Sequence, residues 1–195
     1  MTNDPVNDPA PGPDATPVPL TTGRLTLRLY QPDDAGPSLE YYGDPEVVRY
    51  LLEDPWTPED AEARIAKRMA RTGIGEPGSA LALVVEHEGV VVGDVALWTT
   101  GDTVSRGEVG WVVHPAHTGR GYATEAMRAL LGLAFGYYGM HRVVAQLDAR
   151  NERSARLCER LGMRQEGHLR QDWWSKGEWT DTLVYGMLAE EWTTP

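Results

Sequence analysis

The sequence predicts a mixed α/β fold, in the α+β sense: a central, mostly antiparallel sheet with helices interleaved along it. Three observations carry this. Residues Ser79–Glu86 and Val90–Trp98 are β-rich runs joined by His87-Glu88-Gly89, the composition of a hairpin with a glycine-relieved turn. The stretch from Gly107 to Phe135 begins as a β-type run, turns at Pro115, passes through Gly119-Arg120-Gly121 and enters a long segment of helical spacing. Beyond it, Val143–Asp148 reads as a strand, Asn151–Leu161 as a helix stopped by Gly162, and Thr182–Leu188 as a final strand.

From the N-terminus, residues 1–19 carry six prolines with Asp4, Asp8 and Asp14 as their charged side chains, which predicts a disordered tail preceding one domain over residues 20–195. Leu25, Leu27 and Leu29 alternate with Thr26 and Arg28, a strand with one apolar face. Gln31-Pro32-Asp33-Asp34 opens a helix, and Thr57-Pro58-Glu59-Asp60 opens a second, with Thr57 as N-cap, Pro58 in the first helical position and Ala61, Ile65 and Met69 directed inward. In the central helix Met127, Leu130, Leu131, Ala134 and Phe135 form one apolar stripe.

Composition narrows the function. A chain of 195 residues with 41% hydrophobic content is long enough for one packed domain. It has no apolar run of membrane-spanning length and no signal-type start, so a soluble cytoplasmic protein is expected. The net charge of −11 disfavours nucleic acid as a partner and favours cationic ones, although acidity also serves solubility alone. One cysteine, Cys158, forms no internal disulfide and no cysteine-rich zinc site. His114 and His117 flank a proline turn without the helix and glutamate of a zinc protease motif, so no metal is expected.

Strand, glycine loop, helix is a phosphate-binding order. The first turn of a helix has amides without intrahelical partners and carries the positive end of the peptide dipole. Gly119 and Gly121 lack a Cβ, so an anion can approach the backbone, and Arg120 adds a charge. A Walker loop would need Lys and then Ser or Thr after its last glycine, where this chain has Tyr122 and Ala123, and a dinucleotide fingerprint lacks its third glycine. A tight strand-to-helix turn is the plainer alternative.

The surrounding residues, Val109-Gly110-Trp111-Val112-Val113-His114-Pro115 and Gly119-Arg120-Gly121-Tyr122-Ala123-Thr124-Glu125-Ala126, closely resemble the acetyl-CoA-binding motif of the GNAT N-acetyltransferases, most of all their ribosomal-protein branch. The Thr-Gly-Arg-Leu-Thr-Leu-Arg opening and the Asp-Trp-Trp-Ser-Lys-Gly-Glu-Trp segment resemble the same branch. The resemblance implies the GNAT fold, a twisted sheet in which the strand carrying Trp111, Val112 and Val113 splays from the strand carrying Val143–Asp148 and admits acetyl-CoA as cosubstrate. It further implies that the amides of Gly119, Arg120, Gly121, Tyr122, Ala123 and Thr124 hold the CoA pyrophosphate, that backbone groups of Trp111, Val112 and Val113 hold the acetyl group and pantetheine, and that Asn151, with Ser154 one turn later, contacts the pantetheine arm. Thr118 departs from the family pattern, which has Gln or Arg there.

Acyl transfer to an amine also needs an uncharged nucleophile. A lysine-like ammonium of pKa ~10.4 costs roughly 4.6 kcal/mol to deprotonate at neutral pH, whereas an α-amine of pKa ~7.7–8.0 costs about 1 kcal/mol. Glu108, at the start of the central strand, is the candidate base; the alternative is an exposed charge at a strand edge. Some relatives place a Glu where this chain has Gln146. Asn151 also reads as a plain helix N-cap. Where many relatives carry a Tyr that protonates the leaving thiolate stands Cys158, which shares a helical face with Leu157 and Leu161 and reads as packing. Trp173, Trp174, Trp179 and Asp181 could grip a cationic acceptor or form a homodimer contact.

The function expected is therefore N-acetylation by acetyl-CoA of a primary amine, favouring a protein or peptide N-terminal α-amine. The alternatives are an aminoglycoside or polyamine acceptor, a non-catalytic acyl-CoA-binding module, and a nucleotide-binding protein.

Overall fold

The computed structural model describes residues 16–193 and contains one eight-stranded sheet. In chain order the elements are β1 (Leu20–Thr21), β2 (Thr26–Leu29), α1 (Ala35–Tyr42), α2 (Pro45–Val48), α3 (Pro58–Met69), β3 (Ala80–His87), β4 (Val90–Thr99), β5 (Arg106–Val113), α4 (Tyr122–Gly132), β6 (Arg142–Asp148), α5 (Glu152–Leu161), β7 (Arg164–Ser175) and β8 (Glu178–Leu188). The strands lie in the order β1-β2-β3-β4-β5-β6-β8-β7. Every pairing is antiparallel except β5 with β6, the two strands joined across α4.

Alternation along the strands divides the core into two layers. Leu27, Leu83, Val95, Leu97, Val109 and Val143 face α4 and α5, where Met127, Leu130, Leu131 and Leu157 meet them. Ala82 and Val84 face the other way, toward Tyr41, Tyr42, Trp56, Ala61 and Ile65 of the α1–α3 region. The Thr57 cap of α3 forms as its sequence implies, its hydroxyl accepting from the Asp60 amide. Met69, however, is exposed rather than inward, because the last turn of α3 presents Arg68 to the sheet in its place and the apolar part of the inward stripe ends at Ile65.

Three further features go beyond the sequence pattern. The tail assignment over residues 1–15 lies outside the described residues, but Thr16 is held in place, its hydroxyl donating to the Thr72 carbonyl at 3.0 Å and lying 2.7 Å from the Tyr138 hydroxyl. The stripe of the central helix runs past Gly132 into a π-turn over Leu133–Tyr137, where the Tyr138 amide donates to the Leu133 carbonyl. The last strand is longer than Thr182–Leu188, and it pairs with a strand, β7, that has no apolar alternation because it is the exposed sheet edge.

One polar cluster is buried inside the second layer. Asp94 of β4 accepts from the hydroxyls of Tyr41 at 2.8 Å and Tyr42 at 3.1 Å and from Arg68 of α3 at 3.3 Å, while Arg68 also donates to the hydroxyls of Tyr42 and Tyr30 and to Glu53. Burial raises the Asp94 pKa, and Arg68 and the tyrosine hydroxyls act against that rise. Removing Asp94 takes away the buried carboxylate that Arg68 and two tyrosine hydroxyls share and leaves Arg68 only the more peripheral Glu53, so Asp94→Ala is expected to lower the urea unfolding free energy by about 3 kcal/mol. Arg156→Ala, which breaks the exposed Arg156–Glu152 pair, should change it by no more than about 0.5 kcal/mol. Equal losses in the two variants would contradict the central place given to the Asp94 cluster.

Candidate active site

Parallel pairing of β5 with β6 comprises Arg106↔Arg142, Gly107↔Val143 and Glu108↔Val144 and goes no further, although β5 continues to Val113 and β6 to Asp148. The strands therefore part beyond Glu108. On its other edge β5 remains paired with β4 as far as Gly93↔Val113. The His114 amide donates to the Val92 carbonyl at 2.9 Å and the Thr100 amide to the Arg106 carbonyl at 3.0 Å, which fixes the phase of that ladder. Even-numbered residues of β5 thus spend their backbone groups on β4, and odd-numbered ones direct theirs toward β6. Trp111 and Val113 accordingly offer backbone groups to the gap. Val112, named with them from the sequence, has its amide and carbonyl turned to Asp94 and contributes only its side chain.

The glycine loop follows. Gly119 and Gly121 adopt φ of 77° and 82°, a left-handed conformation that a side chain would strain. A Cβ on Gly119 would meet nothing within 4 Å, so the space before this backbone is open. Gly121 is the N-cap of α4, and the Glu125 amide closes the first intrahelical bond onto its carbonyl. That leaves the amides of Tyr122, Ala123 and Thr124 as the donors of the first turn. Where α3 and α5 are capped by Thr57 and Asn151, no side chain caps α4. These residues fit a diphosphate. A small crevice lined by Val92, Gly93, Trp111, Val113, Tyr122 and Ala123 lies between the β4–β5 ladder and the first turn of α4.

Two residues that the motif reading passed over hold the loop in place. Glu125 accepts from the Thr22 hydroxyl at 2.6 Å and from the Arg24 amide and Nε, both at 2.8 Å. Although burial opposes it, these bonds keep the Glu125 carboxyl below its ordinary range. Arg24 also donates to the Arg120 carbonyl at 3.0 Å and lies 4.9 Å over the Tyr122 ring. Their signal in the sequence was faint, since 101 residues separate the partners. Tyr122 itself is buried, so only its backbone can serve a ligand. The Arg120 side chain is exposed, and Thr124 receives Arg160 of α5 at 3.5 Å.

Across the sheet, the side chain of Glu108 points away from α4, opposite in phase to core residue Val109. It is half-buried and accepts from the Gln146 amide at 3.1 Å. Burial raises its pKa, against a smaller opposing effect of that hydrogen bond. Asn151 acts as an N-cap, its side-chain oxygen accepting from the Ser154 amide at 3.1 Å, with its amide group left to donate. Cys158 is fully buried and burial pushes its thiol up to about 12, so it is packing and not an acid. Burial, with His114 and Arg120 nearby, lowers the His117 pKa, and among the described residues no group of three metal-ligating side chains converges. Asp181 is committed to His168 at 2.8 Å and to the Gln171 amide at 2.9 Å, while Trp173, Trp174 and Trp179 stay exposed.

Uncapped first-turn amides on one side of an opened sheet and a half-buried carboxylate on the other suit group transfer from a phosphate-bearing donor to a nucleophile, the chemistry of the CoA-dependent acyltransferases. Residues 24–164 match the family model of the acetyltransferase (GNAT) domain, and the chain belongs to that family. It is 31% identical over 173 residues to an uncharacterised N-acetyltransferase of Bacillus subtilis, covering 89% of this chain and 98% of the relative. It is 29% identical to the [ribosomal protein uS5]-alanine N-acetyltransferase of Escherichia coli, over 90% of this chain and 93% of that protein. A GNAT-family acetyltransferase structure from Bacillus anthracis superimposes with a TM-score of 0.78 at 29% identity, over 88% of this chain and 98% of that one. This protein is an acetyl-CoA-dependent N-acetyltransferase.

If the clamp on the loop matters for the donor substrate, Arg24→Ala should weaken acetyl-CoA binding about ten-fold in titration calorimetry, with a smaller loss at high salt. An affinity equal to that of the unaltered protein at low salt would remove Arg24 from the site.

Proposed function

We propose that the acceptor is the N-terminal α-amine of a protein or peptide, of the ribosomal-protein kind, and that Glu108 is the general base. Acetyl-CoA brings an activated thioester, and the chain's own residues position and deprotonate around it. The amides of Gly119, Arg120, Gly121, Tyr122, Ala123 and Thr124 hold the diphosphate. Backbone groups of Trp111 and Val113, with the Asn151 side-chain amide, guide the pantetheine arm along β5. This lays the thioester toward the vertex where the strands part, and the Trp111 amide is the donor best directed at its carbonyl oxygen.

The observation that carries the reading is the position of Glu108 at that vertex, on the opposite face of the sheet from the phosphate loop. An amine arriving on that face meets a carboxylate whose proton affinity burial has increased. Such a base, directly or through one water, suits an α-amine, which needs only about 1 kcal/mol to be neutral at pH 7, better than a lysine ammonium. The E. coli relative is named for N-acetylation of an alanine of a ribosomal protein, which agrees with this choice. Leaving-group protonation requires no residue here, because a thiolate of pKa ~8.5 departs readily near neutral pH.

Glu108→Gln should lower kcat about a hundred-fold with an N-terminal peptide at pH 7 and leave the acetyl-CoA Kd unchanged. Because the free amine becomes abundant above its own pKa, the deficit should shrink as the pH is raised from 7 to 9. A deficit that stays constant over this range, measured by CoA release, would exclude Glu108 as the base.

A further inference from the structure

The face on which Glu108 lies is enclosed by a closed circuit of contacts. At the β5 lip of the gap, His114 Nε2 lies 3.4 Å from Glu40 of α1, and its ring meets Tyr41 edge-on at 5.8 Å. From α1 the chain continues through α2 to Tyr50, over which the Arg150 guanidinium sits at 5.7 Å, just past the β6 lip. Arg150 in turn donates to Glu178 of β8 at 2.8 Å. The β7–β8 hairpin closes the circuit. At its tip Lys176 sends its ammonium onto the carbonyls where α2 ends, contacting Val48, Arg49 at 3.3 Å and Leu51 at 2.9 Å. Because β8 is paired with β6 and β6 with β5 as far as Glu108, the circuit is continuous around the open face of the gap.

Lys176 has an unusual position for its residue type. Lys176 and Gly177 are the central pair of a two-residue hairpin turn with φ of 51° and 85°. The first of these positions ordinarily goes to Asn, Asp or Gly, which tolerate positive φ. A lysine there is accounted for by its side chain, which reaches the carbonyls of Val48, Arg49 and Leu51.

Resting on the acceptor reading above, we propose that Lys176 is a positioning residue that sets acceptor specificity. By locking the hairpin onto α2 it completes a ring through which the amine must be threaded end-on. A free terminus on a slender, flexible chain passes this ring, whereas an amine set in a rigid, branched scaffold does not.

The test compares kcat/KM for a short linear peptide with a free N-terminus and for an aminoglycoside, in the full chain and in Lys176→Ala and Lys176→Arg. The unaltered protein should prefer the peptide by about a hundred-fold. Lys176→Ala should narrow that preference at least about ten-fold, mainly by lowering the aminoglycoside KM as the ring opens, with the acetyl-CoA Kd within about two-fold and Lys176→Arg keeping most of the preference. A preference unmoved by Lys176→Ala, or a loss that follows acetyl-CoA affinity and thermal stability instead of acceptor KM, overturns the ring. A protein that binds acetyl-CoA yet transfers to neither acceptor overturns the acceptor reading as well, so the two failures are distinguishable.

Discussion

Everything at this site depends on two strands that stop pairing partway along. β5 and β6 share hydrogen bonds only through Glu108 and Val144, and beyond that point each still has a partner on its outer edge, β4 for one and β8 for the other. Backbone groups in the interior of a sheet are costly to leave unpaired. An opening maintained between two well-paired strands is therefore a place where a ligand with its own amides and carbonyls is favoured. A pantetheine arm has these groups, and the sheet can accept it much as it would accept another strand.

Such an opening survives only if the rest of the sheet cannot close over it. The α4 face is filled by a continuous apolar core, and α4 itself starts where β5 ends, so the glycine loop cannot shift without unpacking Met127 and Leu130. On the opposite face, α1 and α3 are bound to the sheet through the buried carboxylate of Asp94, shared by two tyrosines and Arg68. That carboxylate stands across from Val112, directly behind the β5 segment that lines the gap. Its polar bonds are directional where apolar packing is not, so they fix how α1 lies relative to the β5 lip.

Charge is distributed to the same end. In a chain of net charge −11, Arg24, Arg120 and Arg160 gather around the start of α4, where the phosphates of CoA would lie. The acidic balance elsewhere bears on the proposed acceptor, because long-range attraction affects how often an amine arrives more than how tightly it is held.

The local signals in the sequence were sufficient for the elements that determine the chemistry. β-rich runs and a glycine-relieved turn gave the β3–β5 meander, Thr57-Pro58 gave the start of α3, and Gly119-Arg120-Gly121 gave the turn into α4, because each is decided by backbone preferences within a few residues. Tertiary structure decided the rest. Asn151 could be read as a cap or as a ligand until its bond to the Ser154 amide showed its oxygen capping α5 and its amide group left over, and Asp181 could be read as an acceptor contact until His168 and Gln171 claimed it. Whether Val112 offers its amide depends on the phase of the ladder with β4, which no run of residues states. The Arg24–Glu125 clamp, the Asp94 cluster and the Lys176 lock join positions dozens of residues apart or more. A sequence records which residues prefer which local conformation, but the pairing of distant side chains is chosen by packing of the whole chain, and only there does a strand pair become an opening with a half-buried carboxylate at its vertex.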